Sequence, residues 1–554
     1  MLWVAVVLSL ILGAKAQSDQ EELTVRVLPQ PSSTNRLALT VGFQVGMLEG
    51  AGNPLRAECF LEETLGGEAP VSVRPVPGSR RDGFLVANED KLPHAVSLTT
   101  KVLRRGVGHT VRVVGRRVAG KGTLRVLFSK IDGAPEQAAE KKISFKGDEA
   151  SEKTFTVVPP QDGVYRCSFE LGPGAVIELR SCSMLPDDAE QGWDHQQLEA
   201  LRAVAPRTLR WPMQRGLGFY NWYDGVGPKE RRRAVSPTAR ADEGHDFGTA
   251  EFVGFCRLVG AEPVLRVTVF GGGVRDERVA DVAAGAQLAA DWAAYCNATG
   301  SHPLAVLRTR HGFPAPLSVK RWELVTAEGG APTGAVCQAY AATIKAEDPA
   351  AEVAVAPEVL TPVYDRYVAT VMRRLAAAES SDREYYQDWY ATLGLAYAEI
   401  ERMRMGLGGE ACTPFHPEEV LFRVPYAKNM LTEKGLLMAL FNRFPAAQPL
   451  ATEGVSGSDE TAFRIQAAWT ADGSALVVFV YNAGPAARTV KFDLTALKRR
   501  FGFWIADQLA ADISARRSAS SVPVNRIQKA GAALTQFFLC EFEPSSFTRV
   551  IVKE

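Results

Sequence analysis

The spacing of apolar residues changes twice along this chain of 554 residues and divides it into three parts. From about residue 22 to 185, apolar residues alternate with smaller or polar ones, as at Leu37 and Leu39, and glycine and proline clusters separate the runs. This period of two predicts antiparallel strands, and their short spacing is typical of a β-sandwich. The final segment, residues 163–179, is interpreted as a hairpin that turns at residues 172–174.

From about residue 190 to 415, segments with helical spacing alternate with short apolar runs. Leu198, Leu201 and Val204 follow helical spacing, and a second helix is expected between a cap at Thr249 and a stop at Gly260. Alternating strands and helices predict parallel βα units, as in an α/β barrel or a doubly wound sheet. The other predicted strands are residues 208–212, 263–270, 319–325 and 352–356, and the other predicted helices include residues 288–295, 363–378 and 392–405.

After about residue 420 the pattern returns to strands. Residues 475–481 form a strongly apolar run, residues 489–494 alternate, and residues 547–552 are strand-like. The fold class predicted for the whole chain is therefore α/β plus all-β, with a second β-sandwich at the carboxyl end.

The first 16 residues resemble a secretory signal peptide. Residues 2–12 are an apolar run too short to span a bilayer comfortably, and Ala14 and Ala16 are small residues placed for cleavage. The alternative is an uncleaved anchor. We expect a secreted or extracytoplasmic protein with no later transmembrane segment, in which disulfides can form among eight cysteines. Asn297-Ala298-Thr299 is then a predicted glycosylation site at Asn297.

The composition excludes several classes of function. Lys+Arg and Asp+Glu both number 63, so no net charge favours nucleic acid or an anionic membrane. No Cys-x-x-Cys pair occurs, the seven histidines lack metal-ligand spacing, and residues 271–273 are not followed by the rest of a phosphate loop. The sequence predicts neither a metal nor a cofactor.

Six segments in order resemble the family-51 glycoside hydrolases, the α-L-arabinofuranosidases. The resemblance is good over roughly residues 120–330 and looser over 430–554. It implies a (β/α)8-type barrel over residues 188–415, complete or trimmed, between an N-terminal β-sandwich module (17–187) and a C-terminal β-sandwich (416–554). It also implies retaining hydrolysis by two carboxyl groups about 5 Å apart. The segments are Leu209-Arg210-Trp211-Pro212, residues 221–228, 246–252, 256–265 and 292–297, and Lys320-Arg321-Trp322-Glu323.

The family's acid/base motif, Trp-Glu-x-Gly-Asn-Glu, is degenerate in this chain. Thr326 stands where the family has the asparagine that binds the sugar 2-hydroxyl, and Ala327 stands in place of the acid/base glutamate. Alanine cannot donate a proton. Glu328 lies one residue later, on the opposite face of a strand, and would need a bulge or rearranged loop to replace the acid. Glu323 shares the face of position 327 but lies roughly 13 Å down the strand, inside the barrel.

The first-strand motif also departs from the family. Arg210 is kept, but two glycines and an asparagine are replaced by Met213, Gln214 and Arg215, which would crowd a pocket for a small furanose. Arg210 and Arg215 could bind an anion or form ordinary ion pairs. Trp222 belongs to a group of aromatic residues at 219–223 that could stack on a sugar or pack against the barrel rim.

The resemblance implies a nucleophile on a later strand, where Glu384 and Asp388 are the nearby candidates. Asp388-Trp389 is most similar to the family's Glu-Trp, but the shorter aspartate would displace the attacking oxygen. Only about 60 residues separate Ala327 from Asp388, whereas two βα units need roughly 30 each at least, so the barrel would be trimmed there. An ordinary helix start is the alternative interpretation of this segment.

Three hypotheses follow. The first is an exported pseudoenzyme that binds an arabinose-containing or other glycan, or is structural, because Ala327 replaces the acid. The second is an active retaining α-L-arabinofuranosidase in which Glu328 acts with Asp388 or Glu384. The third is a non-catalytic subunit of an extracellular or membrane-associated assembly with protein partners.

Overall fold

The computed structural model describes most of the chain in separate ranges. These ranges are residues 23–31, 41–44, 59–60, 66–67, 71–75, 84–131, 137–147, 149–193, 195–212, 220–228, 248–270, 279–326, 334–355, 380–404, 411–413, 431–443, 446–454, 462–484, 486–511, 524–533 and 536–554.

The described part of the amino-terminal third is made of strands. In chain order they are β1 (Leu23–Pro31), β2 (Val41–Gln44), β3 (Cys59–Phe60), β4 (Gly66–Gly67), β5 (Val71–Pro75), β6 (Phe84–Asn88), β7 (His94–Leu103), β8 (His109–Ala119), β9 (Thr123–Lys130), β10 (Gln137–Ser144), β11 (Ser151–Val157), β12 (Gly163–Leu171) and β13 (Val176–Pro186). Two antiparallel sheets use most of them, in the orders β10-β9-β12-β7-β4 and β11-β8-β13-β6-β5, with β3 also on β13. Their alternating buried side chains, such as Val113, Phe128 and Tyr165, form one apolar core.

The predicted hairpin at residues 163–179 is wrong, although both strands are present. Strand β12 pairs with β7 and β9, whereas β13 pairs with β6 and β8 in the other sheet. The turn between them, in which Gly174 has a φ of 66°, therefore crosses from one sheet to the other. Period-two alternation identifies a strand that has one buried face, but it does not identify the neighbouring strand.

The predicted boundary at residue 17 of the N-terminal module also needs correction. Strand β1 pairs antiparallel with Ala446–Glu453 and parallel with Arg488–Asp493, both from the carboxyl-terminal part of the chain. Strand β2 pairs parallel with Thr208–Trp211. Accordingly, the chain divides into one compact unit of residues 1–41, 360–411 and 433–554, and another of residues 42–359 and 412–432.

The middle of the chain alternates strands and helices, as the sequence predicts. The elements are α1 (His195–Val204), β14 (Thr208–Trp211), α2 (Thr249–Val259), β15 (Glu262–Thr268), α3 (Val282–Asn297), α4 (Pro303–Arg310), β16 (Arg321–Val325), α5 (Gly334–Glu347) and β17 (Glu352–Val355). Strands β2, β14, β15, β16 and β17 are parallel neighbours, and β18 (Ala411–Thr413) completes a sheet in the order β17-β16-β15-β14-β2-β18. The predicted helix at residues 363–378 lies outside the described residues.

The two faces of this parallel sheet differ in polarity. Leu209, Trp211 and Trp322 point to the face covered by helices, where Trp211 stacks on Phe252 of α2 at 5.6 Å and Trp322 meets Trp292 of α3 at 5.6 Å. Helix α2 begins one residue after its cap, Gly248, and ends at Gly260, whose φ of 78° suits glycine. Thr249 is thus the first helical residue, not the predicted cap. The opposite face of the sheet carries polar residues.

The unit of residues 1–41, 360–411 and 433–554, here called the carboxyl-terminal unit, contains two α-helices and a large sheet among its described residues. Its elements are α6 (Ser380–Arg404), α7 (Glu433–Asn442), β19 (Ala446–Glu453), β20 (Phe463–Thr470), β21 (Ala475–Asn482), β22 (Arg488–Asp493), β23 (Phe503–Ala511), β24 (Val524–Ala532), β25 (Phe537–Phe542) and β26 (Ser546–Lys553). The sheet order is β24-β23-β26-β21-β20-β19-β1-β22-β25. Every residue of β21 is buried, which explains its continuous apolar run.

The described cysteines do not form disulfides. Cys167, Cys256, Cys296, Cys337 and Cys540 are buried free thiols, and burial raises the pKa of Cys540 to about 12. The other three cysteine side chains lie outside the described residues. No helix in the described ranges is both long and apolar enough to cross a membrane.

Candidate functional site

Three charged side chains meet on the polar face of the parallel sheet, within three neighbouring strands. Glu323 of β16 accepts hydrogen bonds from Arg210 Nε of β14 at 3.2 Å and from Arg266 Nε of β15 at 2.9 Å, one at each carboxylate oxygen. Arg210 also donates to Thr208 Oγ1 at 3.2 Å. Only 5% of Glu323 is exposed, and both arginines are similarly buried. The parallel register creates this cluster, because it sets Arg266 directly beside Glu323.

The sequence leaves two interpretations of Arg210, an anion-binding residue or a member of an ordinary ion pair. In the structure Arg210 forms an ion pair with Glu323. Burial of Glu323 within the sheet, as the strand geometry predicts, is confirmed. Sequence reasoning did not single out Arg266. The available signal was an arginine inside an otherwise apolar predicted strand, since a buried cation requires a partner.

The positions with the greatest bearing on catalysis are only partly described. Thr326 directly follows β16 and is half-buried. Ala327, Glu328 and Arg215 lie outside the described residues, so their roles stay predictions.

The candidate nucleophiles lie on a helix. Residues 384 and 388 are both within α6, which runs from Ser380 to Arg404, so the helical interpretation of this segment is confirmed and the expected strand is not found there. The side chains of Glu384 and Asp388 lie outside the described part of the structure. The next residue, Trp389, is buried and donates from Nε1 to the carbonyl oxygen of Ser545 at 3.0 Å and to its Oγ at 3.1 Å.

Trp222 is a core residue, and its predicted stacking on a sugar needs correction. Its indole is only 1% exposed and donates from Nε1 to the carbonyl oxygen of Leu288 in α3 at 2.8 Å. The ring lies between Tyr223, at 3.8 Å, and Tyr295, at 5.1 Å, so no face is open to a ligand. Tyr223, in contrast, is 40% exposed.

Asn297 has structural contacts that argue against its predicted glycosylation. Its Nδ2 donates to the carbonyl oxygen of Val319 and to Asp348 Oδ2, both at 2.6 Å, and its Oδ1 accepts from Val319 N at 2.9 Å. A glycan on Nδ2 would replace one of the two hydrogens that make these bonds. The contacts join the end of α3 to the segment before β16.

We therefore expect Asn297 to carry no glycan, and we expect Asn297→Ala to destabilise the protein by about 1–3 kcal/mol, because partly buried partners lose their hydrogen bonds. Mass spectrometry of peptides from protein expressed through a secretory pathway checks the first expectation, and urea unfolding checks the second. Thr299→Ala removes the acceptor pattern without touching these bonds and is the matched control. A glycan at Asn297 in the folded wild-type protein would contradict the assignment.

A second charged cluster lies at the start of α1. Ligand atoms of Glu190, His195 and Glu199 lie within 4.8 Å of one another, a spacing that could hold a metal ion. Arg202, however, donates to Glu190 at 2.8 Å and to Glu199 at 2.7 Å. Hydrogen bonds from Arg202 and His195 lower the pKa of Glu190 to about 2. The guanidinium already supplies the positive charge, so this cluster is an ion-pair network.

Comparisons with known proteins relate part of the chain to one family of enzymes. Residues 200–392 match the family model of the α-L-arabinofuranosidase 1 domain. A probable α-L-arabinofuranosidase C of Aspergillus flavus is 36% identical over 140 residues, which are 25% of each chain. An intracellular exo-α-(1→5)-L-arabinofuranosidase of Halalkalibacterium halodurans is 30% identical over 138 residues, again 25% of each. The aligned part thus spans about a quarter of the length of these curated relatives.

A solved structure extends the likeness to the fold. An arabinose-bound family-51 α-L-arabinofuranosidase superposes with a TM-score of 0.72, covering 96% of this chain and 100% of that one at 14% identity. Over residues 200–392, the chain is homologous to the α-L-arabinofuranosidases. The homology confirms the family that the six sequence segments predict, and the superposition shows that the fold is shared. At 14% identity this likeness says nothing about catalysis.

Proposed function

We propose that this chain is an exported, glycan-binding relative of the arabinofuranosidases that does not hydrolyse glycosides. The observation that carries the proposal is Ala327, which stands in place of the acid/base glutamate of the family's motif. Retaining hydrolysis needs one carboxyl group to donate a proton and a second, about 5 Å away, to attack. Glu323 is buried, and each of its oxygens accepts a hydrogen bond from an arginine. It is therefore committed to the ion-pair cluster and does not replace the acid missing at Ala327.

The ligand class comes from the family. The solved homologue is described as arabinose-bound, and the curated relatives are named as arabinofuranosidases. We propose that an arabinose-containing glycan binds this chain also. The apolar, small-residue character of residues 1–16 supports export, which would bring the protein to extracellular polysaccharide.

Activity on an aryl α-L-arabinofuranoside tests the loss of catalysis. We expect the purified protein to release the aryl alcohol no faster than buffer, while an active family-51 enzyme assayed in parallel consumes the substrate. Glu328→Gln is the matched variant. Turnover by the wild-type protein that Glu328→Gln abolishes would overturn the proposal and favour an enzyme with a relocated acid.

Thermal unfolding with arabino-oligosaccharides tests the binding half of the proposal. A ligand that binds only the folded state at 100 times its Kd adds about 2.7 kcal/mol to the stability, so the midpoint should rise with ligand concentration. Cello-oligosaccharides of equal length are the control. An unchanged midpoint with every arabinose-containing ligand at millimolar concentration would contradict glycan binding.

A further inference from the structure

Tyr223 is an exposed aromatic side chain on a rigid support. It belongs to the 3₁₀ turn Trp222–Gly225, where its backbone nitrogen donates to Asn221 Oδ1 at 3.2 Å. Its ring is stacked on Trp222 with the centroids 3.8 Å apart and the planes 24° from parallel. Trp222 is fixed in turn by its hydrogen bond to α3. One face of the Tyr223 ring is covered, and the 40% exposure of the residue leaves much of the remainder in solvent.

Polar groups of α3 lie at the edge of this ring. Asp291 Oδ2 is 3.5 Å from the Tyr223 hydroxyl, and Asp291 Oδ1 accepts from Gln287 Nε2 at 2.9 Å. Gln287 and Asp291 are four residues apart and therefore share one side of the helix. Both hydrogen bonds are exposed to solvent. The aromatic ring, with its own hydroxyl group, is thus bordered by a carboxylate and an amide that both belong to α3.

Tyr223, Gln287 and Asp291, here called the platform, are separate from the buried ion-pair cluster around Glu323. Trp292, the neighbour of Asp291 in sequence, points to the sheet and contacts Trp322. Asp291 and Gln287 lie on the solvent side of the same helix. The platform is therefore on the outer surface of the α/β region, beyond the helix layer, whereas Glu323 lies on the other face of the sheet.

We propose that Tyr223, Asp291 and Gln287 form a second carbohydrate subsite, which binds a neutral sugar unit of a polysaccharide chain. The C–H face of a sugar packs on an aromatic ring, whose π-face is negative, and its hydroxyl groups donate to a carboxylate in strong charge-assisted hydrogen bonds. Because Trp222 already holds the tyrosine ring, little side-chain entropy is lost on binding. The carboxylate of Asp291 disfavours uronic acids, since like charges would meet.

The inference rests on the proposed function for the arabinose-containing ligand. It adds the position of a binding subsite and a preference for uncharged sugar units. Binding of neutral, debranched arabinan to the full chain tests it by isothermal titration and affinity electrophoresis. We expect Tyr223→Leu, which still covers Trp222 but lacks an aromatic face, to weaken binding about threefold to tenfold. Tyr223→Phe keeps the ring and should remain within about twofold of the wild type. Asp291→Asn should weaken binding and reduce discrimination against polygalacturonate.

Phe503→Ala is the matched control, because Phe503 is 42% exposed and lies on β23 in the other unit. It should bind arabinan like the wild type, and thermal unfolding verifies that each variant is folded. If the wild type binds arabinan and Tyr223→Leu binds equally well, the subsite is overturned while the proposed function stands. If the wild type binds no arabinan and no arabino-oligosaccharide, both are overturned.

Discussion

Replacing Glu323 by alanine is expected to lower the free energy of unfolding by about 3–5 kcal/mol, because it removes the buried carboxylate that two buried arginines share. Arg210 and Arg266 would each lose a charge-assisted hydrogen bond, at 3.2 Å and 2.9 Å, and the surrounding sheet admits little water. The cost arises mainly from the uncompensated cations that remain, and only in part from the lost attraction. Urea unfolding followed by tryptophan fluorescence measures it, since Trp322 directly precedes Glu323 in the strand.

Two further variants distinguish this mechanism from a simple loss of packing. Glu323→Gln preserves the side-chain volume but removes the negative charge. We therefore expect it to lose most of the free energy of unfolding that Glu323→Ala loses. The double variant Arg266→Leu/Glu323→Ala removes one cation together with its partner, and its loss should be smaller than the sum of the two single losses. Additive losses, or a loss below about 1 kcal/mol for Glu323→Ala, would contradict the assigned role of Glu323.

The predicted stability effect bears directly on catalysis. A carboxyl group that donates a proton to a leaving group must be reachable by substrate and must alternate between protonation states. Glu323 is buried and therefore not reachable by substrate while it joins β14, β15 and β16. The strand most similar to the family's acid-bearing strand therefore retains a structural glutamate and has an alanine four residues later, at position 327.

Local features of the fold were predictable from sequence because each depends on a few neighbouring residues. Leu198, Leu201 and Val204 lie on one side of α1, as their spacing predicts, and all three are buried. Gly260 ends α2 because only a residue that tolerates positive φ fits there. The family could also be recognised, since several short segments keep their order and approximate spacing.

Long-range features were not predictable, for reasons visible in particular residues. Strand β1 has an ordinary alternating pattern, but its partners lie more than 400 residues later, and nothing local specifies them. Trp222 occurs in a polar segment typical of an exposed loop, yet it is buried by α3, which begins at Val282. The pairing of Arg266 with Glu323 depends on the register of two strands, which a single sequence does not specify.

Trp389 is expected to stabilise the carboxyl-terminal unit, and Trp389→Ala should lower its free energy of unfolding by about 3–5 kcal/mol. The indole is 1% exposed, and its Nε1 donates to Ser545 just before β26, so it fixes α6 to the sheet. Trp389→Phe fills most of the same space without the donor and should cost less, about 1–3 kcal/mol. Guanidinium unfolding monitored by circular dichroism measures both.

The pair of variants also tests whether residues 388 and 389 are related to a nucleophile motif. In an active enzyme, an aromatic residue beside the nucleophile would influence turnover more than global stability, because small displacements of the attacking oxygen reduce the rate strongly. In this chain Trp389 lies in a helix and donates to Ser545, the residue before β26, so both variants should change stability and leave arabinan binding per folded molecule unchanged. Arabinofuranoside turnover that Trp389→Phe reduces at unchanged stability would assign this segment to a catalytic site.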